Sequence, residues 1–286
     1  MGDLHPARDA YSFDPFARQP FYTDVNRSLV RRAVARLAAS RPAGAPLLIV
    51  DLAAGTGAVT RLILEELATC GRAATIIGIE PSPEAIAIAR ADLAGHVVEF
   101  IEGNAADLPR IAPEADAVFF CNAIHLLPDK AATLDQIAGV LRPGGILAAN
   151  STFFIGAQTP EGDRFALMWI RRAIGWLREH HPEARASRKN AVPTVTWLSA
   201  AEYADLFEAH HLRVLDRELE VVPVPVEAVR AIGRYWLFIE GALPGVPIPI
   251  GAEALDWAGG ETGRELGVAA IPRTWLQLVA ERSASE

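Results

Sequence analysis

Between Leu47 and Asn150, short apolar runs alternate with helical patterns, and few folds accommodate that rhythm. Leu47–Leu52, Ala74–Glu80, Val97–Ile101, Ala117–Cys121 and Ile146–Asn150 read as strands. Ala58–Thr69, Pro83–Leu93 and Lys130–Leu141 read as the helices between them. The strands carry almost no polar alternation, so both their faces are buried, which is the signature of a parallel sheet covered by helices on each side. Upstream, Val25, Leu29, Ala33 and Leu37 stand four apart within 23–40 and mark one face of an amphipathic helix. Pro42, Gly44 and Pro46 end it. No internal repeat and no low-complexity tract interrupts this plan.

The first turn of the sheet carries the chemistry. It reads Asp51-Leu-Ala-Ala-Gly55-Thr-Gly57-Ala-Val-Thr60. A dinucleotide fingerprint needs a third glycine where Thr60 stands, and a phosphate-cradling Walker loop needs Gly-Lys-Ser/Thr, which is absent. An acid at the end of the first strand would repel a pyrophosphate but suits a cofactor with a cationic end, such as an amino acid's ammonium. The second strand closes on Glu80, whose carboxylate can grip both hydroxyls of a ribose. An adenosine–amino acid cofactor fits these two acids better than NAD does.

With these residues in place, the chain resembles the class I S-adenosylmethionine-dependent methyltransferases. The resemblance rests on DLAAGTG at 51–57, Glu80, EGNAADLP at 102–109, CNAIHLLPD at 121–129 and LRPGGILA at 141–148. It implies a doubly wound, seven-stranded, mostly parallel sheet whose last strand is antiparallel, with S-adenosylmethionine as cofactor. Asp51, Ala53, Gly55 and Gly57 would lie beneath the methionine moiety. Glu80 would hold the ribose, Pro81 and Ser82 would flank the adenine, Asn104 and Ala105 would lie at its edge, and Cys121 and Asn122 would line the methionine side. Two positions depart from the family pattern. Ala53 replaces the first turn glycine, and Asn104 replaces the acid that accepts from the adenine amino group. An amide oxygen can still accept there, and Asp107 is either a substitute or an ordinary turn acid.

The rest of the chain divides around this core. The expected organisation is an N-terminal helical cap (1–45), a cofactor-binding core (46–151), a lid insertion (152–198), a continuation of the core (199–222), a second lid insertion (223–273) and a last core strand with tail (274–286). Ser199 and Glu202 form a capping box at the start of one helix. Ligands of open α/β sheets bind beyond the carboxyl ends of the strands, so both insertions are expected over the cofactor, as a lid, a homodimer interface or both. Arg171, Arg172, Arg188 and Lys189 suggest an anionic head on the acceptor, against the alternative of a solvated helix face. Tyr235 and Trp236 suggest an apolar body, and Asn26 is a further substrate candidate.

His125, just past the fourth strand, is the first candidate base, with Glu240 and Tyr22 as others. No clustered His and acidic residues mark a metal site. The expected activity is methyl transfer to oxygen or carbon of a small secondary or lipid metabolite. An isoprenoid-diphosphate C-methyltransferase and a non-catalytic cofactor-binding protein are the alternatives. A formal charge of −8 argues against a general nucleic-acid partner. Two cysteines make no disulfide framework, no apolar leader opens the chain, and no stretch of about 18 apolar residues could span a bilayer, so a cytoplasmic protein is expected.

Overall fold

The computed structural model describes residues 10–42, 44–187 and 196–283. Among them, seven strands form one sheet: β1 (Leu47–Leu52), β2 (Ala74–Glu80), β3 (Val98–Glu102), β4 (Ala115–Cys121), β5 (Leu141–Ser151), β6 (Leu212–Pro225) and β7 (Ala270–Arg282). Their order is β3-β2-β1-β4-β5-β7-β6. The pairs β1–β2, β1–β4, β2–β3 and β4–β5 are parallel, and β5–β7 is antiparallel. The resemblance implied a seven-stranded, mostly parallel sheet with its last strand antiparallel, and the sheet has that form. The strand order reverses between β1 and β4, which makes their carboxyl ends the topological switch point where such sheets bind ligands.

β1 and β2 have the bounds the apolar pattern predicts, β3 is shifted by one residue, and β4 and β5 run longer. β5 begins at Leu141 rather than Ile146, with a register shift opposite Ala115 and Ala117. Gly144 sits at φ +75°, a conformation glycine adopts without penalty, and lets the strand absorb the extra residues.

The chain separates into two compact units. One, the sheet unit, holds the described residues within 23–157, 196–220 and 274–283. Its core lies on both faces of the sheet. On one, Leu29, Ala33 and Leu37 of the Pro20–Ser40 helix pack with Ile49, Ile63 and Phe119. On the other, Val50, Leu52, Phe120 and Leu147 pack with Tyr203 and Phe207 of the Ala200–Ala209 helix. That helix opens with the predicted Ser199–Glu202 capping box.

The second unit holds the described residues 10–22, 158–187 and 221–273 and is mostly helical. Its long helices are Pro160–His180 and Ile248–Leu266, with shorter ones at Val226–Gly233 and Trp236–Ala242. The Pro- and Gly-rich segment after β6 is thus mostly helix. Its glycines serve contact: a Cβ on Gly251 would come within 2.4 Å of Ile239 Cγ2, and one on Gly263 within 3.0 Å of Val226. No described helix is long and apolar enough to cross a membrane.

Candidate functional site

At the carboxyl ends of β1 and β2, two carboxylates flank the glycine turn. Asp51 is 1% exposed and accepts a 2.6 Å hydrogen bond from Thr60 Oγ1. Burial pushes its carboxyl up to about 7, the Thr60 bonds oppose this, and the nearby Glu80 charge adds to it. Glu80 accepts from Gly55 N at 2.9 Å and from Ser82 N at 3.1 Å. Its carboxyl is also raised, by burial, against the pull of those two amides. The site therefore concentrates negative charge at low dielectric, which favours a cationic or hydroxyl-rich ligand over a phosphate.

Gly55 and Gly57 do different work. Both have positive φ, +56° and +83°. A Cβ on Gly57 would meet Leu93 Cδ1 at 2.9 Å, so this glycine lets the Pro83–Asp92 helix and its cap pack close. A Cβ on Gly55 would meet no protein atom within 4 Å, so this residue presents bare backbone outward. Ala53 also sits at positive φ, +60°. The glycine-to-alanine departure is thus more than a methyl group: an L-residue in this region costs on the order of 1 kcal/mol.

The adenine-side residues are engaged locally. Ser82 caps the Pro83–Asp92 helix by accepting from Ala85 N, and Pro81 beside it is exposed. Asn104 Oδ1 accepts from Ala106 N at 2.8 Å, and Asp107 accepts from Asn104 N at 3.1 Å, forming a capping box around Ala105. Asp107 thus acts as a turn acid here, and the hydrogen bonds depress its carboxyl below the usual range. Asn104 keeps one further lone pair on its amide oxygen.

At the ends of β4 and β5 lies an amide network that the sequence reading identified only in part. Asn122, at φ +55°, donates from Nδ2 to Asn26 Oδ1 at 3.1 Å. Asn150 Nδ2 donates to the same oxygen at 2.9 Å, and its own Oδ1 accepts from Asn122 N at 2.9 Å. Trp275 Nε1 donates to Asn122 Oδ1 at 3.0 Å. Asn26 is fully buried in this network, so its described role is to hold the strand ends. Asn150 and Trp275 were missed. Asn150 carries the same signal as Asp51 and Glu80, a polar residue closing a buried strand. Nothing local marks Trp275. Cys121 beside them is buried, and burial with the Asp51 charge pushes its thiol well up, so it stays protonated.

His125 lies in the short turn after β4, 7% exposed. Its Nδ1 is 3.0 Å from Ser151 Oγ, and its ring packs on Phe153 with centroids 4.4 Å apart. Ser151 Oγ also accepts from Phe153 N at 2.9 Å. For Nε2 to accept a proton, Nδ1 must carry hydrogen and donate to Ser151, whose own hydrogen then turns to Phe153 O at 3.4 Å.

The remaining candidates belong to the helical unit. Tyr22 packs edge-on against Phe13 and Phe16, and Tyr235 packs on Phe13 and Trp236, so three expected site residues join one aromatic cluster. Glu240 is half-buried on the Trp236–Ala242 helix. Arg172 is ion-paired with Glu265, and Arg171 is exposed. Arg188 and Lys189 lie outside the described residues. Among the described residues, these arginines do not form a converging anion site. A groove of about 690 Å³ in this unit is lined by Trp257, Arg230, Asp256 and neighbours, and by none of the expected site residues. No cluster of three or more metal-ligating side chains occurs among the described residues.

Residues 49–145 match the family described as a methyltransferase domain. This match supports a methyltransferase domain of the class I S-adenosylmethionine-dependent type within the sheet unit. An uncharacterized methyltransferase of Mycobacterium tuberculosis is 31% identical over 133 residues, 46% of this chain and 44% of that protein. Trans-aconitate 2-methyltransferase of Methylobacterium radiotolerans is 37% identical over 121 residues, 42% and 43% of the two chains. The matched stretch thus spans under half the length of these two relatives. A methyltransferase candidate from Bacillus halodurans shares the fold, with a TM-score of 0.52 at 14% identity, covering 88% of this chain and all of that one.

Proposed function

We propose that this chain binds S-adenosylmethionine at the glycine turn and transfers its methyl group to oxygen or carbon of a small-molecule acceptor. The carrying observation is the pair of buried acids, Asp51 and Glu80, on either side of a turn that offers bare backbone at Gly55. This donor set fits the cofactor's functional groups. Glu80 would accept from the ribose diol, Asp51 would face the ammonium, and Asn104 would meet the adenine edge. When bound, the cofactor supplies an electrophilic methyl on a sulfonium sulfur.

The chain's own part is positioning and proton management. Asn122, held at positive φ by Asn26, Asn150 and Trp275, fixes the backbone at the carboxyl end of β4. Placing reactants in line accounts for most of the rate gain expected of such a site. His125, anchored through Nδ1 to Ser151, offers Nε2 as the base for an acceptor hydroxyl or carbon acid. Within the helical unit, Phe13, Tyr22, Tyr235 and Trp236 form one aromatic cluster, which supports an acceptor with an apolar body. The Arg172–Glu265 pair takes weight from an anionic head and from an isoprenoid diphosphate acceptor. The relationship to a trans-aconitate methyltransferase keeps small carboxylic acids within the acceptor panel.

Calorimetry with S-adenosylhomocysteine tests the binding half. Methyl transfer from labelled cofactor to a panel of hydroxylated and carboxylated small molecules tests the catalytic half. Failure of the wild-type chain to bind S-adenosylhomocysteine overturns the proposal. Binding without transfer to any member of the panel turns it toward the non-catalytic reading.

A further inference from the structure

Thr60 stands where a dinucleotide-binding turn would carry its third glycine, and the structure gives its side chain a specific partner. The residue lies in the first turn of the Ala58–Thr69 helix and is completely buried. Its hydroxyl donates to Asp51 Oδ2 at 2.6 Å, a short, charge-assisted geometry, and its backbone amide also bonds Asp51. The helix is therefore tied to the acid at the end of β1 by a bond that glycine could not make.

We propose that Thr60 is a positioning residue for cofactor recognition: its hydroxyl, 2.6 Å from Oδ2, orients the Asp51 carboxylate so that it can pair with the ammonium of the cofactor's amino-acid end. This inference rests on the cofactor reading above.

The surroundings explain why Asp51 needs help. From β2, Glu80 faces it with a second negative charge. From β4 comes the Cys121 thiol, held protonated by burial. From the Ala58–Thr69 helix comes Thr60, a neutral donor. Burial and the Glu80 charge both favour the protonated carboxyl, and the Thr60 bonds favour the carboxylate. These opposing effects leave Asp51 titrating at about 7. Below that pH a neutral Asp51 meets the ammonium without its charge, and above it the ion pair is available. Affinity for a ligand bearing the ammonium must therefore rise with pH across neutrality.

The test is S-adenosylhomocysteine affinity from pH 6 to 8.5 for the wild type, Thr60→Val, Thr60→Ser and Asp51→Asn. A second ligand, 5′-methylthioadenosine, retains the nucleoside and lacks the amino-acid end. In the wild type, S-adenosylhomocysteine should bind about tenfold more tightly at pH 8 than at pH 6, as follows from one titrating group with a midpoint near neutrality. Thr60→Val removes the hydroxyl at nearly constant volume and should shift that step upward by roughly one pH unit. The loss at pH 7 should be about fivefold, largely recovered by pH 8.5. Thr60→Ser should track the wild type, and Asp51→Asn should flatten the profile. Affinity for 5′-methylthioadenosine should stay within about twofold throughout, which also reports that each variant is folded.

An unshifted pH profile in Thr60→Val overturns the proposal. So does an equal loss of both ligands, which would make Thr60 a packing residue, and so does a pH step that survives in Asp51→Asn. If the wild type binds neither ligand, the cofactor reading fails and this inference with it. If it binds both but Thr60→Val is unshifted, only the inference fails.

Discussion

The sheet unit and the helical unit differ in how their residues are constrained. In the sheet unit, the residues of the glycine turn and the strand end beside it answer mostly to nearby backbone, while the Asn26, Asn122, Asn150 and Trp275 network joins distant positions. Gly55 sits at positive φ, Glu80 closes a strand and accepts from the Ser82 amide two residues on and from the Gly55 amide of the first turn, and Ser82 caps the helix that follows. In the helical unit, the constraints join distant parts of the chain. Trp169 stacks on Phe238 with centroids 5.1 Å apart and donates from Nε1 to Leu255 O at 2.7 Å. Gly233 and Gly259 leave room for that same indole. The first kind of constraint is written in short motifs. The second follows from how helices meet, which their sequences specify only jointly.

This contrast can be broken by paired substitutions. Gly55→Val should cause the largest functional loss: a β-branched residue at φ +56° strains the turn and covers the backbone proposed to approach the cofactor. S-adenosylhomocysteine binding should become undetectable by calorimetry, while circular dichroism still reports a folded chain. Its counterpart, Trp169→Ala, should cost about 3–5 kcal/mol of stability in denaturant melts through lost packing. Cofactor affinity should change little. If Trp169→Ala abolished binding as completely as Gly55→Val, the two units would not be separable in this way.

A smaller effect is expected at Glu80. Replacing it by Ala removes an acceptor for the ribose and releases Gly55 N and Ser82 N, costing on the order of 2–4 kcal/mol of cofactor binding. Unchanged affinity in a folded variant would remove Glu80 from the site. At His125, Ala should lower kcat by roughly a hundredfold, about 2.7 kcal/mol, with little effect on cofactor affinity. A loss under threefold would leave His125 as a partner for Phe153 and Ser151.

How far the sequence could be read follows the same division. The parallel strands were visible because burial on both faces leaves an unbroken apolar run, as in Ala117–Cys121. The turn acids were visible because a charge that closes such a run has no structural reason to be there. Asn150 and Ser151 close β5 in the same manner, yet polar neutral residues are common at strand ends and drew no notice. Trp275 reaches Asn122 across 153 positions, and no local pattern encodes that meeting. In the helical unit, the arginine-rich run around Arg171 and Arg172 suggested an anion site. The structure instead pairs Arg172 with Glu265 on the facing helix, a partner that helical periodicity within either segment cannot reveal.

The smallest predicted effect separates function from stability at one residue. Asp51 ionises in the folded chain at about 7, against an ordinary carboxylate near 3.8. Folding thus favours its protonated form, so stability from this group is fully present below the unfolded value and is lost as pH rises through 7. Asparagine at this position stays neutral and can still accept the Thr60 hydroxyl. Asp51→Asn should therefore raise the melting temperature modestly at pH 5, where part of that stability is already lost, and by several degrees at pH 8, where the wild type holds a buried charge. The same variant should weaken S-adenosylhomocysteine at pH 8 by losing the ion pair. A more stable protein that binds its cofactor less well would mark Asp51 as a residue kept for recognition at a cost to folding. Equal melting temperatures at both pH values would mean that Asp51 is already ionised throughout, and that the glycine turn solvates its charge more fully than its burial implies.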